Sequence, residues 1–235
     1  MVETSAHTSW LPYMTKTYNY NKWVFDMYKE FVGKRVLDIG SGYGTFINFI
    51  SNKEYVAAIE PSEECYNYLT ARFSSKKNIE LVKADVTAPE TLGGLREKGI
   101  DTVICLNVLE HIEDDKKAVR NIREVMKPGG KFILFVPALN AIYGTLDEAL
   151  GHYRRYEKKE LELMLNEAGF KIIKSRYVNF VGAFSWFLYS KIIKAKSPAE
   201  NRIVFYDKYV VPIVSLIENF VRLPFGQSIL IIAEK

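Results

Sequence analysis

Cysteine is scarce in this chain: Cys65 and Cys105 are the only two among 235 residues. No Cys-x-x-Cys pair and no Cys/His cluster accompanies them, which excludes a disulfide framework or a zinc site of ordinary spacing. Two reduced thiols in apolar segments fit a cytoplasmic protein. A run of about 18 uninterrupted apolar residues, the requirement for a spanning helix, is missing. The nearest approach, 178–193, is broken by Lys191 and several polar residues. The leading stretch "MVETSAHTSWLPYMTKTYNYNKW" lacks the basic-then-apolar order of a secretory leader. The net charge of +4 comes without a dense basic tract, which points away from nucleic acid as a partner. Internal repeats and low-complexity tracts are lacking too, and 196–202 is the one linker-like patch.

What is present is apolar and rhythmic. Hydrophobic residues make up 48% and aromatics 14%, enough for one large domain or a domain with an added lobe. Strand-length apolar runs stand at 35–40, 55–60, 79–85, 101–107 and 131–137. Helical patterns separate them: one opening at Thr45, one from the Ser62 cap to Phe73, and one over Asp114–Met126 that "KPGG" (127–130) closes. This alternation predicts a parallel sheet covered on both faces. Beyond Pro137 come a loop, a helix over Lys158–Ala168 closed by Gly169, and strand-like "FKIIKSRYV". Two apolar helical segments follow, 180–195 and 203–222, the second with a break at Pro212. A final strand, "QSILIIAEK", ends the chain.

The stretch "VLDIGSGYG" (36–44) carries the most chemistry. Gly40, Gly42 and Gly44 make a side-chain-free turn between a strand and a helix, where a ligand can come close to the backbone. The pattern is GxGxG rather than the dinucleotide GxGxxG, and Asp38 stands two residues ahead of it. A carboxylate there is poor company for a pyrophosphate and good company for an ammonium group. Glu60, at the end of the second strand, lies in the range where an acid takes ribose hydroxyls. Asp85, closing the third, is placed to accept from an adenine amino group. An NAD-binding domain remains the alternative.

Together with "AIEPS" (58–62), "KADVT" (83–87), "LNVLEHIED" (106–114) and "KPGGKFILFVP" (127–137), this stretch resembles the class I S-adenosylmethionine-dependent methyltransferases. The resemblance implies an α/β, Rossmann-like doubly wound sheet of seven strands with the last antiparallel. It also implies S-adenosylmethionine as cofactor and S-adenosylhomocysteine as product. By position, Asp38, Gly40, Ser41, Gly42 and Gly44 would cradle the methionine part. Glu60 with Pro61 would hold the ribose, Asp85 and Val86 would border the adenine, and Asn107 and Val108 would line the methyl-transfer site. The divisions that follow are a helical lid over 1–34, the binding core over 35–180, an apolar helical cap over 181–225 and the last strand over 226–235.

Methyl transfer from a sulfonium needs alignment, dryness and often a base. Asn107-Val108-Leu109-Glu110 departs from the Asn/Asp-Pro-Pro-aromatic motif of base methylases, so a small-molecule or lipid-linked, possibly glycan-bearing, acceptor is expected, methylated on oxygen. His111 is a candidate base, or a packing residue. In "GHYRRY" (151–156), His152, Tyr153 and Arg155 are candidate acceptor-site residues, since arginine recognises anionic groups. No metal constellation is visible. Trp10, Tyr13, Tyr18, Tyr20 and Trp23 crowd the leading segment, and Tyr18, Asn21 and Trp23 are candidates for a lid over the cofactor. Helices as apolar as those of 181–225 pack as a cap, lie on the inner face of a membrane, or dimerise. A non-catalytic cofactor-binding module that docks a partner protein is the other functional alternative.

Overall fold

The computed structural model describes residues 15–88, 92–197 and 200–235. Trp10, Tyr13 and the rest of 1–14 lie outside the described residues, as do 198 and 199 of the linker-like patch. In chain order the elements are α1 (Tyr18–Asp26), β1 (Arg35–Ile39), α2 (Ile47–Ile50), β2 (Tyr55–Ile59), α3 (Glu63–Phe73), β3 (Ile79–Val82) and β4 (Ile100–Leu106). Then come α4 (Asp115–Val125), β5 (Met126–Pro137), α5 (Thr145–Leu150), α6 (Lys158–Glu167), β6 (Lys171–Val178), α7 (Phe180–Phe187), α8 (Glu200–Phe205), α9 (Val211–Phe220) and β7 (Ser228–Glu234).

The seven strands form one sheet in the order β3-β2-β1-β4-β5-β7-β6. β1 to β5 are parallel, and β7 runs antiparallel to both β5 and β6. Apolar runs made the central strands, because strands covered on both faces have no polar side to show. Leu37 and Ile39 face one cluster with Val103, Phe132 and Leu134, packed under α4 and α6. Val36, Ile104, Ile133 and Phe135 face the other, under α1, α2, α3 and α9. The order turns back between β1 and β4, and at such a switch point the strand ends open a crevice.

Caps fix several helix starts. The Ser62 hydroxyl accepts from the Cys65 N–H, and the Asp114 carboxylate accepts from the Lys117 N–H at 2.9 Å. Two boundaries differ from expectation. α2 shrinks to four residues, and "KPGG" does not end a helix but joins β5, where Met126 already pairs with Ile100. Gly129, at φ +75°, makes the bend that keeps the strand going.

Between β6 and β7 the chain is helical. α7 runs on through a wider-pitched turn at Leu188–Ile192, and α8 continues into α9 through another at Tyr206–Val210. Pro212, at the head of α9, has no N–H to donate, and the wide turn just before it absorbs that loss without a break. The buried Asp207 carboxylate accepts the N–H groups of Asn19 (3.3 Å) and Tyr20 (2.8 Å), so it caps α1 from across the fold.

Candidate functional site

The glycine turn leaves β1 with Gly40, Gly42 and Gly44 at φ +67°, +51° and +72°. That backbone region is the first reason for glycine. Packing is the second. A Cβ on Gly40 would stand 2.4 Å from Val108 Cγ2, and one on Gly44 would stand 2.6 Å from Phe73 Cε2. The close approach at these two positions is therefore made by the chain's own side chains. The turn's N–H groups are engaged as well: Gly40 and Ser41 donate to Ile59 O at 2.8 and 3.1 Å, Gly42 to Glu60 Oε2 at 2.8 Å, and Gly44 to Ser41 O at 2.8 Å. A pyrophosphate cradle needs such donors unpaired. The turn is thus no such cradle.

The acids make the opposite offer. Asp38 is 4% exposed, and burial pushes its carboxyl up to about 7, with Glu60's charge adding to the Ser41-opposed rise. No ion pair to Asp38 is found among the described residues, and a cationic group brought to it would meet a buried carboxylate. Beside it the buried Tyr28 hydroxyl has no hydrogen-bond partner among the described residues. Glu60, followed by Pro61, accepts from Gly42 and from Ser62 (2.9 Å), which uses two of about four lone-pair sites and leaves others for a ligand's hydroxyls. Asp85 accepts from the N–H and hydroxyl of Thr87, both at 2.8 Å, and Val86 is buried with its carbonyl bound to the Asn121 amide. These groups fit a cationic nucleoside.

Asn107, at φ +53°, ends β4 and lines a cavity of about 340 Å³. The same wall carries Glu110, His111 and His152. The two imidazoles stand edge to face with centroids 4.7 Å apart. Glu110 is fully buried and neither carboxylate oxygen has a partner among the described residues. Burial pushes its carboxyl up to about 8, against the pull of its own backbone N–H and then of Arg155.

His152 is held from behind. Its Nδ1 stands 2.9 Å from Asp147 Oδ1, and the fully buried Asp147 also accepts from Arg155 Nε (2.8 Å), Trp186 Nε1 (3.0 Å) and Gly144 N (3.0 Å). Burial alone would raise the Asp147 carboxyl, but these donors together hold it below the usual range. Burial holds His152 below its ordinary value despite Asp147. Arg155 balances the charge on Asp147, and an Nδ1–H directed at Asp147 would leave Nε2 as the nitrogen with a free lone pair.

Among the expected acceptor residues the structure brings His111, His152 and Arg155 to one cavity and leaves Tyr153 off it. Arg155 is buried, with Nε on Asp147 (2.8 Å), Nη1 on Ala138 O (2.8 Å) and its guanidinium 4.6 Å from the Trp186 ring. Tyr153 is 52% exposed and off the cavity wall. The lid assignments also change. Tyr18 is 62% exposed and Trp23 is packed in the core, while Thr17 and Tyr20 of the same segment line the cavity. Asn21 is buried. Asp147, Glu110 and Tyr28 are the residues that sequence reading missed. Asp147 lies five residues before His152 and eight before Arg155, a spacing that becomes a contact only because α5 ends in a left-handed turn at Gly151. An acid between Leu109 and Ile112 was the available signal for Glu110.

A family model described as "Methyltransferase domain" matches residues 18–175. The chain is 31% identical over 159 residues to a ubiquinone biosynthesis O-methyltransferase of Xanthomonas euvesicatoria, a match covering 61% of this chain and 65% of the relative. It thus spans less than two thirds of the length of the first curated relatives it matches. An uncharacterized protein of Methanocaldococcus jannaschii is 26% identical over 205 residues, covering 83% of this chain and 82% of that one. Among solved structures, a SAM-dependent methyltransferase from Archaeoglobus fulgidus shares the fold at a TM-score of 0.60, with 21% identity over 92% of this chain and 94% of that chain.

Proposed function

The chain belongs to the class I S-adenosylmethionine-dependent methyltransferase family, and on that premise we propose that it methylates an oxygen of a small-molecule acceptor lodged beside Glu110, His111 and His152. The observation that carries this reading is Asn107: it lines the cavity with the two imidazoles and directly follows β4, which pairs with β1, the strand that leads into the glycine turn. S-adenosylmethionine, when bound, supplies a methyl group already activated on a sulfonium. The residues of the chain bind, orient and keep water out. Asp38 pairs the ammonium group and Glu60 takes the ribose hydroxyls. Asp85 and Val86 border the adenine, and Asn107 and Val108 border the reacting end. The acceptor's proton leaves at the Glu110–His111–His152 cluster, where His152 is oriented by Asp147.

Methylation on oxygen is favoured by the relatives named as O-methyltransferases. Leu146, Leu150, Trp186, Tyr189, Ile203 and Val211 give the cavity an apolar lining, suited to an acceptor with an aromatic or alkyl body. The helices that line the cavity also turn Phe184, Ile192, Phe205, Ile213, Leu216 and Phe220 to the outside. Lys191, Lys194 and Lys208 stand among them. No described helix is long and apolar enough to cross a membrane. A face of this composition lies on an anionic lipid surface, from which a greasy acceptor can enter.

The test is transfer of labelled methyl from S-adenosylmethionine into small-molecule and lipid extracts. The wild-type chain is expected to label an extractable product, and His152→Gln to slow the transfer by about 10²–10⁴-fold. No labelled product with any extract, or full activity in His152→Gln, would contradict the reading.

A further inference from the structure

We propose that Glu110, His111 and His152 form a binding site for a divalent first-row cation such as Zn²⁺. Each offers one ligand atom, and these atoms lie within 4.8 Å of one another. Two of the chain's three histidines meet here, brought together from the loop after β4 and the loop before α6. Two imidazole nitrogens and one carboxylate, with the fourth side open to a cavity, are the donor set of catalytic zinc sites rather than of magnesium or calcium sites.

Two further observations point to a ligand. Glu110 is fully buried on the cavity wall with both oxygens unpartnered among the described residues, and a buried polar group left so is costly. A cation at this place gives those oxygens a partner. His152 is backed by Asp147 at 2.9 Å, the carboxylate–imidazole pairing that fixes a metal-binding ring in the tautomer with Nε2 available. Asp147 is itself fixed by Arg155, Trp186 and Gly144, so the ring is set before any ion arrives.

What the ion does rests on the methyl-transfer reading; that it binds does not. On that reading the open position takes the acceptor's oxygen. The O–H bond breaks, the electron pair stays on oxygen and the proton passes to water, at a pH where the free hydroxyl is still protonated.

The experiment uses the full chain without any histidine tag, stripped with a chelator and titrated calorimetrically with Zn²⁺, with Co²⁺ as a visible-absorption probe and Mg²⁺ as control. We expect one Zn²⁺ per chain, a tetrahedral-type cobalt spectrum and no comparable Mg²⁺ binding. Glu110→Gln and His111→Gln should each weaken Zn²⁺ about 100-fold or more, since losses of outer partners already reach about 10–100-fold. Two variants on different side chains, each checked for an intact thermal transition, guard against a folding artefact. S-adenosylmethionine binding is measured on the same stripped chain and should be unchanged. Absence of Zn²⁺ binding, or equal binding in the folded Glu110→Gln chain, overturns the site and leaves the imidazoles as the base. Absence of S-adenosylmethionine binding would instead overturn the proposed function.

Discussion

Asp38 is a carboxylate held away from water with no ion pair among the described residues, and its pH behaviour follows from that burial. It titrates at about 7 in the folded ligand-free chain against 3.8 when free. The folded state binds this proton more tightly, so the group's contribution to stability is complete below the free value and is lost as pH rises through about 7. Thermal melts of the ligand-free chain should therefore show Asp38→Asn gaining on the wild type between about pH 5 and about pH 8. Cofactor affinity has the opposite sign. It should weaken as pH falls through about 7, because the protonated acid cannot pair an ammonium group. Gly40 gives a second test at this scale. Gly40→Ala meets both a left-handed φ of +67° and Val108. It should lower stability by about 1–3 kcal/mol, and a Val108→Ala partner should recover only the steric share, as read by denaturant unfolding.

Among the elements, some were legible in the sequence and others were not, for physical reasons. β1, β2, β4 and the apolar part of β5 announce themselves because strands buried on both faces are continuously apolar. Ser62 and Asp114 announce helix starts because caps act locally. The sheet order and the antiparallel β7 are long-range facts: family resemblance supplied the second, and the first is not written in any local pattern. "KPGG" misled because proline and glycine usually punctuate, whereas here pairing of Met126 with Ile100 carries the strand past them. The glycine turn, Asp38 and Glu60 were legible as a proposed site because spacing along the chain sets their place. Glu110, Asp147 and the inward turn of Arg155 were not, because burial and pairing across loops decide them. Two predictions belong here. Asp147→Asn leaves Arg155 buried without its carboxylate and should cost about 3–5 kcal/mol in unfolding measurements. Asp207→Ala removes the cap that α8–α9 lends to α1, and should cost about 1 kcal/mol with faster hydrogen exchange confined to residues 18–26 and their contacts.

At the scale of the whole molecule, the helices between β6 and β7 line the cavity beside Asn107 and also carry exposed Phe184, Phe205 and Phe220. Flotation with anionic vesicles should carry the wild-type chain, and Phe205→Asp with Phe220→Asp should leave it at the bottom with cofactor affinity unchanged. The central claim is that Asp38 and its neighbours choose a cationic nucleoside. It is tested most directly by calorimetric titration of the wild type and Asp38→Asn with S-adenosylmethionine, S-adenosylhomocysteine and NAD. The account predicts that the wild type binds the first two and not NAD, and that Asp38→Asn loses about 10–100-fold, the worth of one charge-assisted hydrogen bond of about 1.5–3 kcal/mol. Binding of NAD in their place, or an Asp38→Asn chain that binds S-adenosylmethionine as tightly as the wild type, would contradict it.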